Sequence, residues 1–167
     1  MRIEEEIKQK SFKNEFHKLV VNLRFTAGWI GGFHTKILKC HGISSQQFNV
    51  LRILKGQHPK PSSLVLIRER MLDKDSNASR LIDKLEAAGL AKRVQCPNDR
   101  RQVDITITEA GLQLLEKLNP EIDKMTSEII NLDEKDAKTL NNLLDKLREG
   151  PEDKNSDELI VNIERSN

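Results

Sequence analysis

The sequence predicts a mainly α-helical fold with a small β-hairpin wing, arranged as a winged helix-turn-helix between longer flanking helices. Between about Ser44 and Thr108, three short stretches with apolar residues spaced three and four apart are followed by two extended segments around a turn-rich link. Longer helical patterns lie on both sides. A hairpin placed directly after the third of three short helices is hard to obtain otherwise in so few residues.

The first long helix is marked by Phe12, Phe16, Leu19, Val20, Leu23 and Ala27, with Ile30, Ile37 and Leu38 extending it. Gly28, Gly31 and Gly32 weaken its interior, so the helix either kinks there or admits another backbone at close range, the kink being the commoner outcome. His41-Gly42 stops it. Ser44 or Ser45 can cap a second helix carrying Phe48, Leu51 and Leu54, which His58-Pro59-Lys60-Pro61 breaks after Gly56. Ser62 or Ser63 can cap a third through Leu64, Ile67 and Met71, and Asp73 or Asp75 a fourth. In that fourth helix Ala78, Leu81, Ile82 and Leu85 form one buried stripe, and Gly89 ends it.

After Leu90 the period changes. Residues 91–95 read as extended, 96–102 as a turn, and Val103 to Thr108 alternate with β-branched residues. Thr108-Glu109-Ala110-Gly111 then opens a long helix through Leu112, Leu115, Leu118, Ile122, Met125 and Ile129, where Pro120 either bends it or starts a new first turn. Asp133 caps a last helix with Ala137, Leu140, Leu143, Leu144 and Leu147, closed by Gly150-Pro151. The expected organisation is residues 1–42, a winged lobe at 43–108, helices at 109–150 and a polar tail at 151–167.

Composition narrows the function. The 167 residues carry a net charge of +2 with 28 basic and 26 acidic side chains. Residues 1–108 hold 20 basic and 11 acidic side chains, net +9, whereas 109–167 hold 8 and 15, net −7. One part of the chain therefore suits a polyanion and the other does not. The longest uncharged apolar run, Phe25 to Phe33, is far below the ~20 residues of a membrane span. The acidic start Glu4-Glu5-Glu6 does not resemble a targeting segment, so a cytoplasmic protein with no membrane partner is expected. Cys40 and Cys96 are far apart, without metal-ligand spacing, and His17, His34, His41 and His58 do not cluster with acids, so neither a metal nor a cofactor is expected.

Burying the stripe of the fourth helix, read as spanning about Asp75 to Ala88, turns Ser76, Arg80 and Asp83 outward, flanked by Asn77, Ser79 and Lys84. A recognition helix enters the major groove of double-stranded DNA by its N-terminal half, which places Ser76, Asn77, Ser79 and Arg80 at bases and phosphates. Arg80, whose fork can meet O6 and N7 together, is the candidate guanine reader. At the hairpin, Asp99, Arg100 and Arg101 form a basic tip that can reach the minor groove. Asp99 and Arg101, two apart on extended chain, project to one side, and Lys92 and Arg93 add to the same field. A merely solvated charged turn is the alternative.

The run from Ser76 to Leu90, Pro97-Asn98-Asp99-Arg100-Arg101, and Ile105-Thr106-Ile107-Thr108-Glu109-Ala110-Gly111 together resemble the MarR family of bacterial transcriptional regulators. The resemblance covers about Ser44 to Leu118. It implies a homodimer whose first and last helices form a dimerisation layer, with two winged lobes on a roughly palindromic site and the acidic end away from DNA. By the family's wing motif, Arg101 enters the minor groove and Asp99 orients it. It further implies a repressor relieved by a small, often aromatic, acid bound between layer and lobe. The candidate effector pocket is Trp29, Phe33, His34, Phe48 and Arg52, with Arg52 or His34 pairing with the acid; the commoner use of Trp29, Phe33 and Phe48 is as plain core. The family's redox type is departed from, since Cys40 lies late in its helix and the chain has no tyrosine. Cys40 is expected to be a buried thiol and Cys96 an exposed wing residue. A winged protein-interaction module, kept open by Asp73, Asp75 and Asp83, is the second reading; an enzyme is the weakest, with no phosphate loop, nucleophile motif or acid pair.

Overall fold

Most helices start where a short polar side chain can satisfy free backbone donors. A computed structural model describes residues 2–96 and 99–149, with the backbone alone at residues 95, 96 and 99–102. A four-residue helix α1 (Ile3–Glu6), which the sequence reading does not anticipate, precedes α2 (Glu15–Cys40). So short a helix cannot persist by propensity; its contacts hold it, with Ile3 buried and Glu4 2.5 Å from Lys18. Asn14 caps α2 through the His17 N–H, and Ser44 caps α3 (Ser45–Gln57) in a reciprocal box with Gln47. Ser63 caps α4 (Leu64–Arg70) and lies with Ser62 in a two-residue strand, β1 (Ser62–Ser63).

Helix α5 (Ala78–Ala87) is capped by Asn77, not by Asp73 or Asp75 as the sequence suggests. It ends at Gly89, whose φ of +69° lets the Gly89 and Leu90 N–H groups bond back to Glu86 and Leu85. Strands β2 (Ala91–Cys96) and β3 (Asp99–Ile107) follow, then α6 (Glu109–Ile129) and α7 (Glu134–Arg148), the last capped by Asp133. Strand β3 is central in an antiparallel sheet of order β1-β3-β2, with Arg93 opposite Ile105 and Ser62 opposite the same Ile105. The turn is shorter than expected: β3 begins at Asp99, so residues 99–102, read as turn, are strand.

The chain divides into two compact units, Met1–Thr126 and Ser127–Asn167. In the first, Leu38, Leu51, Leu54, Ile67, Ile82, Leu85, Leu115 and Leu118 form the fully buried core. Ala78, Ile82 and Leu85 of the expected stripe are buried and Leu81 is half-buried. Helix α2 is continuous past its three glycines, and a Cβ at Gly28, Gly31 or Gly32 would meet nothing within 4 Å, so among the described residues no other backbone comes that close to them. Pro120 lies inside α6 and does not start a new helix. In α7, which has no buried residue, Leu140, Leu143 and Leu147 are exposed. The expected helix stop at Gly150-Pro151 and the tail at 151–167 lie outside the described residues.

Candidate functional site

Because α5 turns about 100° per residue, burying Ala78, Ile82 and Leu85 leaves Arg80 and Lys84 on the opposite side. Both are exposed, as is Ser79, and Arg80 and Lys84 form no ion pair among the described residues. Ser76 and Asn77 do not lie on the helix, as the sequence reading has it, but before it, because the cap falls at Asn77. Asn77 Oδ1 accepts the Arg80 N–H at 3.1 Å, leaving the amide NH₂ of Asn77 to reach outward. The Ser76 hydroxyl donates to Asp73 at 2.6 Å, and this bond is the main reason the Asp73 carboxyl is held below its ordinary pKa. Asn77→Ala is expected to lower stability by about 1 kcal/mol, read as a shifted urea midpoint, since one N-terminal donor of α5 loses its partner.

On the hairpin, Lys92 stands exposed and without an ion pair among the described residues. Arg93 does not: its Nη2 lies 2.5 Å from Asp83 Oδ1, its Nη1 donates to Glu86 Oε2, and its own N–H donates to Glu86 Oε1 at 3.2 Å. Half-buried between two carboxylates of α5, it is a strut between helix and strand, and the Asp83 bond, with that to Glu86, holds its proton more firmly than in water. Sequence reading missed this because Asp83 and Arg93 meet only when β2 folds back along α5. The side chains of Asp99, Arg100 and Arg101, and of Cys96, lie outside the described residues.

A cavity of about 420 Å³ lies between α2 and α3, lined by Ala27, Ile30, His34, Phe48, Asn49 and Arg52 among others. It brings together three of the five expected pocket residues. Trp29 and Phe33 are absent from its lining and instead pack edge-to-face on one another at 5.2 Å, because they project from a different side of α2. Ala27, Ile30 and His34, three and four apart, were legible as one helix face, as were Phe48 and Arg52. Arg52 lies over the Phe48 ring at 5.9 Å and donates to Asn119 Oδ1 at 3.2 Å, so its guanidinium is held at the cavity. Asn49 Oδ1 accepts the N–H of Leu72, tying the cavity wall to the loop before α5. Cys40, expected buried, is exposed, and its thiol donates to the Lys36 carbonyl at 3.3 Å. Among the described residues, no helix is long and apolar enough to cross a membrane.

A model of the MarR family matches residues 43–103. The chain is 34% identical over 116 residues to the HTH-type transcriptional regulator MhqR of Bacillus subtilis, covering 66% of this chain and 77% of that protein. It is 37% identical over 82 residues to the HTH-type transcriptional regulator YkoM of the same organism, a match that spans 49% of this chain and only 52% of the relative. A mutant MarR from Escherichia coli complexed with operator DNA superposes with a TM-score of 0.69 at 22% identity, covering 83% of this chain and 98% of that one. Bordetella bronchiseptica BpsR, whose DNA binding is regulated by 6-hydroxynicotinic acid, gives 0.68 at 24%, covering 77% and 91%. At these identities the structural likenesses establish the fold alone.

Proposed function

This chain belongs to the MarR family, and from that premise we propose that it is a transcriptional regulator, acting in the cytoplasm as a homodimer on a roughly palindromic site in double-stranded DNA. The observation that carries the reading is the exposed Arg80 and Lys84, without an ion pair among the described residues, on the face of α5 opposite its buried stripe, beside a hairpin with exposed Lys92. Ser76, Asn77 and Ser79 flank that face, and Asp99, Arg100 and Arg101, whose backbone lies in β3, are assigned to the DNA by the sequence reading of the wing. Support for the homodimer comes from apolar side chains that a single chain leaves in water: Phe16 is 80% exposed and Val20 55% on α2, and Leu143 58% on α7. The fold match to an operator complex supports the same reading.

The finer reading is a repressor relieved by a small effector in the cavity of His34, Phe48 and Arg52. An apolar wall with one held guanidinium suits an aromatic carboxylate, which would exchange for Asn119 as the partner of Arg52. Two of the three acids that kept a protein-interaction module open have local uses, since Asp73 binds Ser76 and Asp83 binds Arg93.

The test is selection of random duplex DNA on the purified protein, with the bound pool sequenced. One enriched palindrome is the expected result; retention without enrichment would reduce the site to phosphate binding, and no retention at low salt would return the protein-interaction reading. With the enriched duplex as probe, Arg101→Ala is expected to weaken binding while leaving the circular-dichroism spectrum unchanged. Equal affinity at matched salt would remove Arg101 from the interface.

A further inference from the structure

We propose that Arg93 is a positioning residue for DNA binding that works by offsetting one of the two negative charges of Asp83 and Glu86, and that it does not itself touch DNA. The inference rests on the DNA-binding reading of α5 and goes beyond it by assigning a task to a cation of the winged lobe that is committed to ion pairs with that helix.

The exposed part of α5 is not basic by itself. Arg80 and Lys84 are matched by Asp83 and Glu86, two carboxylates within a turn or so of them, whose side chains are 58% and 40% exposed. A helix with no net charge has little long-range attraction for a phosphate backbone, and carboxylates beside its cations lie within the ~10 Å over which charge acts at 0.1 M salt. Arg93 supplies the missing charge from the neighbouring strand. Its guanidinium spans two carboxylates one turn apart, with one Nη on each, and its backbone N–H holds the second oxygen of Glu86. A planar fork suits this bridge, and a fork so engaged points along α5 and not toward a third partner. The same contacts join β2 to α5, so a loss on mutation could come from charge or from geometry, and the test must separate them.

The full-length protein would be titrated with a fluorescein-labelled random-sequence duplex at 0.1 M salt, and with the selected duplex once it is known. Arg93→Gln leaves two uncancelled acids and is expected to bind about tenfold more weakly, the order of one phosphate charge's contribution. Adding Asp83→Asn and Glu86→Gln to Arg93→Gln is expected to restore binding to wild-type strength or better, although no bridge is rebuilt. Arg93→Lys, which keeps the charge without the fork, is expected to stay close to wild type. A triple variant as weak as Arg93→Gln would overturn the proposal, because a direct phosphate contact or a purely geometric strut would then be at work. A Lys variant as weak as the Gln variant would overturn it too. Should Arg93→Gln fail to fold by circular dichroism, the triple and Lys variants carry the same decision. A wild-type protein that retains no duplex would end the DNA-binding reading and this inference together, whereas wild-type binding unchanged in Arg93→Gln would end this inference alone.

Discussion

Arg80→Ala is expected to leave the fold intact and to lower affinity for the selected duplex by roughly ten- to a hundredfold, with base preference relaxed at one position of each half-site. The side chain lies on the solvent face of α5, with no ion pair among the described residues to be lost with it. What Arg80 contributes to the helix itself is its N–H, bonded to the Asn77 cap, and alanine keeps that donor. The loss should therefore fall on recognition and not on stability. Arg80→Lys separates the two parts of the effect: the charge stays, so binding to random duplex should hold, while the paired bonds to guanine O6 and N7 go, and preference should fall with them. The measurement is anisotropy titration against the selected duplex and its single-base variants. An Arg80→Ala protein with an unaltered base preference would move the reading of bases to Ser79, Asn77 or the wing.

Gly111→Ala is expected to be the most damaging single methyl in the chain. A Cβ at this position would stand 2.3 Å from the carbonyl oxygen of Leu90 and 2.7 Å from Cγ1 of Ile107. Both neighbours are pinned. The Leu90 carbonyl accepts the Thr108 N–H, Ile107 is buried, and the Thr108 hydroxyl accepts from Gly111 N–H while donating to the Gly89 carbonyl at 2.7 Å. The end of α5, the start of β2, the end of β3 and the start of α6 thus meet at one backbone contact. Relieving the clash means moving a backbone segment, at a cost of about 3 kcal/mol or more, to be read from the urea midpoint of the variant against wild type. A midpoint unchanged within error would show that this junction is loose. The clash also gives a physical reason for the glycine in the Thr108-Glu109-Ala110-Gly111 run, which the sequence marks as a helix start and as part of the family resemblance.

The helix pattern was legible because each element satisfies its own rule. Ser44, Ser63 and Asp133 cap helices at the expected positions, Gly89 ends α5 with positive φ, and the change of period after Leu90 marks the sheet. Errors arose where a rule had several local solutions. Asp73, Asp75 and Asn77 are all good caps, and the choice of Asn77 follows from Asp73 being occupied by Ser76, which shortens the helix and moves Ser76 and Asn77 off it. The hairpin turn was read too long because Asp99 and the arginines resemble turn residues, yet pairing along the sheet carries β3 through them. Helix α1 gave no signal, since four residues hold no periodicity and a buried Ile3 needs α2 to bury it.

By itself the sequence determined the order of the longer helices and the two hairpin strands, though not α1 or β1, the buried stripe of α5, and hence that Arg80 and Lys84 face solvent, because period and capping are local and a helix face follows from spacing alone. Only the tertiary structure decided which charged side chains are already spent and which aromatic residues share a cavity. Arg93 reads in sequence as one more cation of a basic face, but β2 folds it onto Asp83 and Glu86. Trp29 and Phe33 lie within five residues of His34 in sequence, but of the three only His34 lies on the face of α2 that lines the cavity with Phe48 and Arg52. Ion pairing and cavity lining depend on which elements pack together, and that is a property of long-range contacts that no local pattern contains.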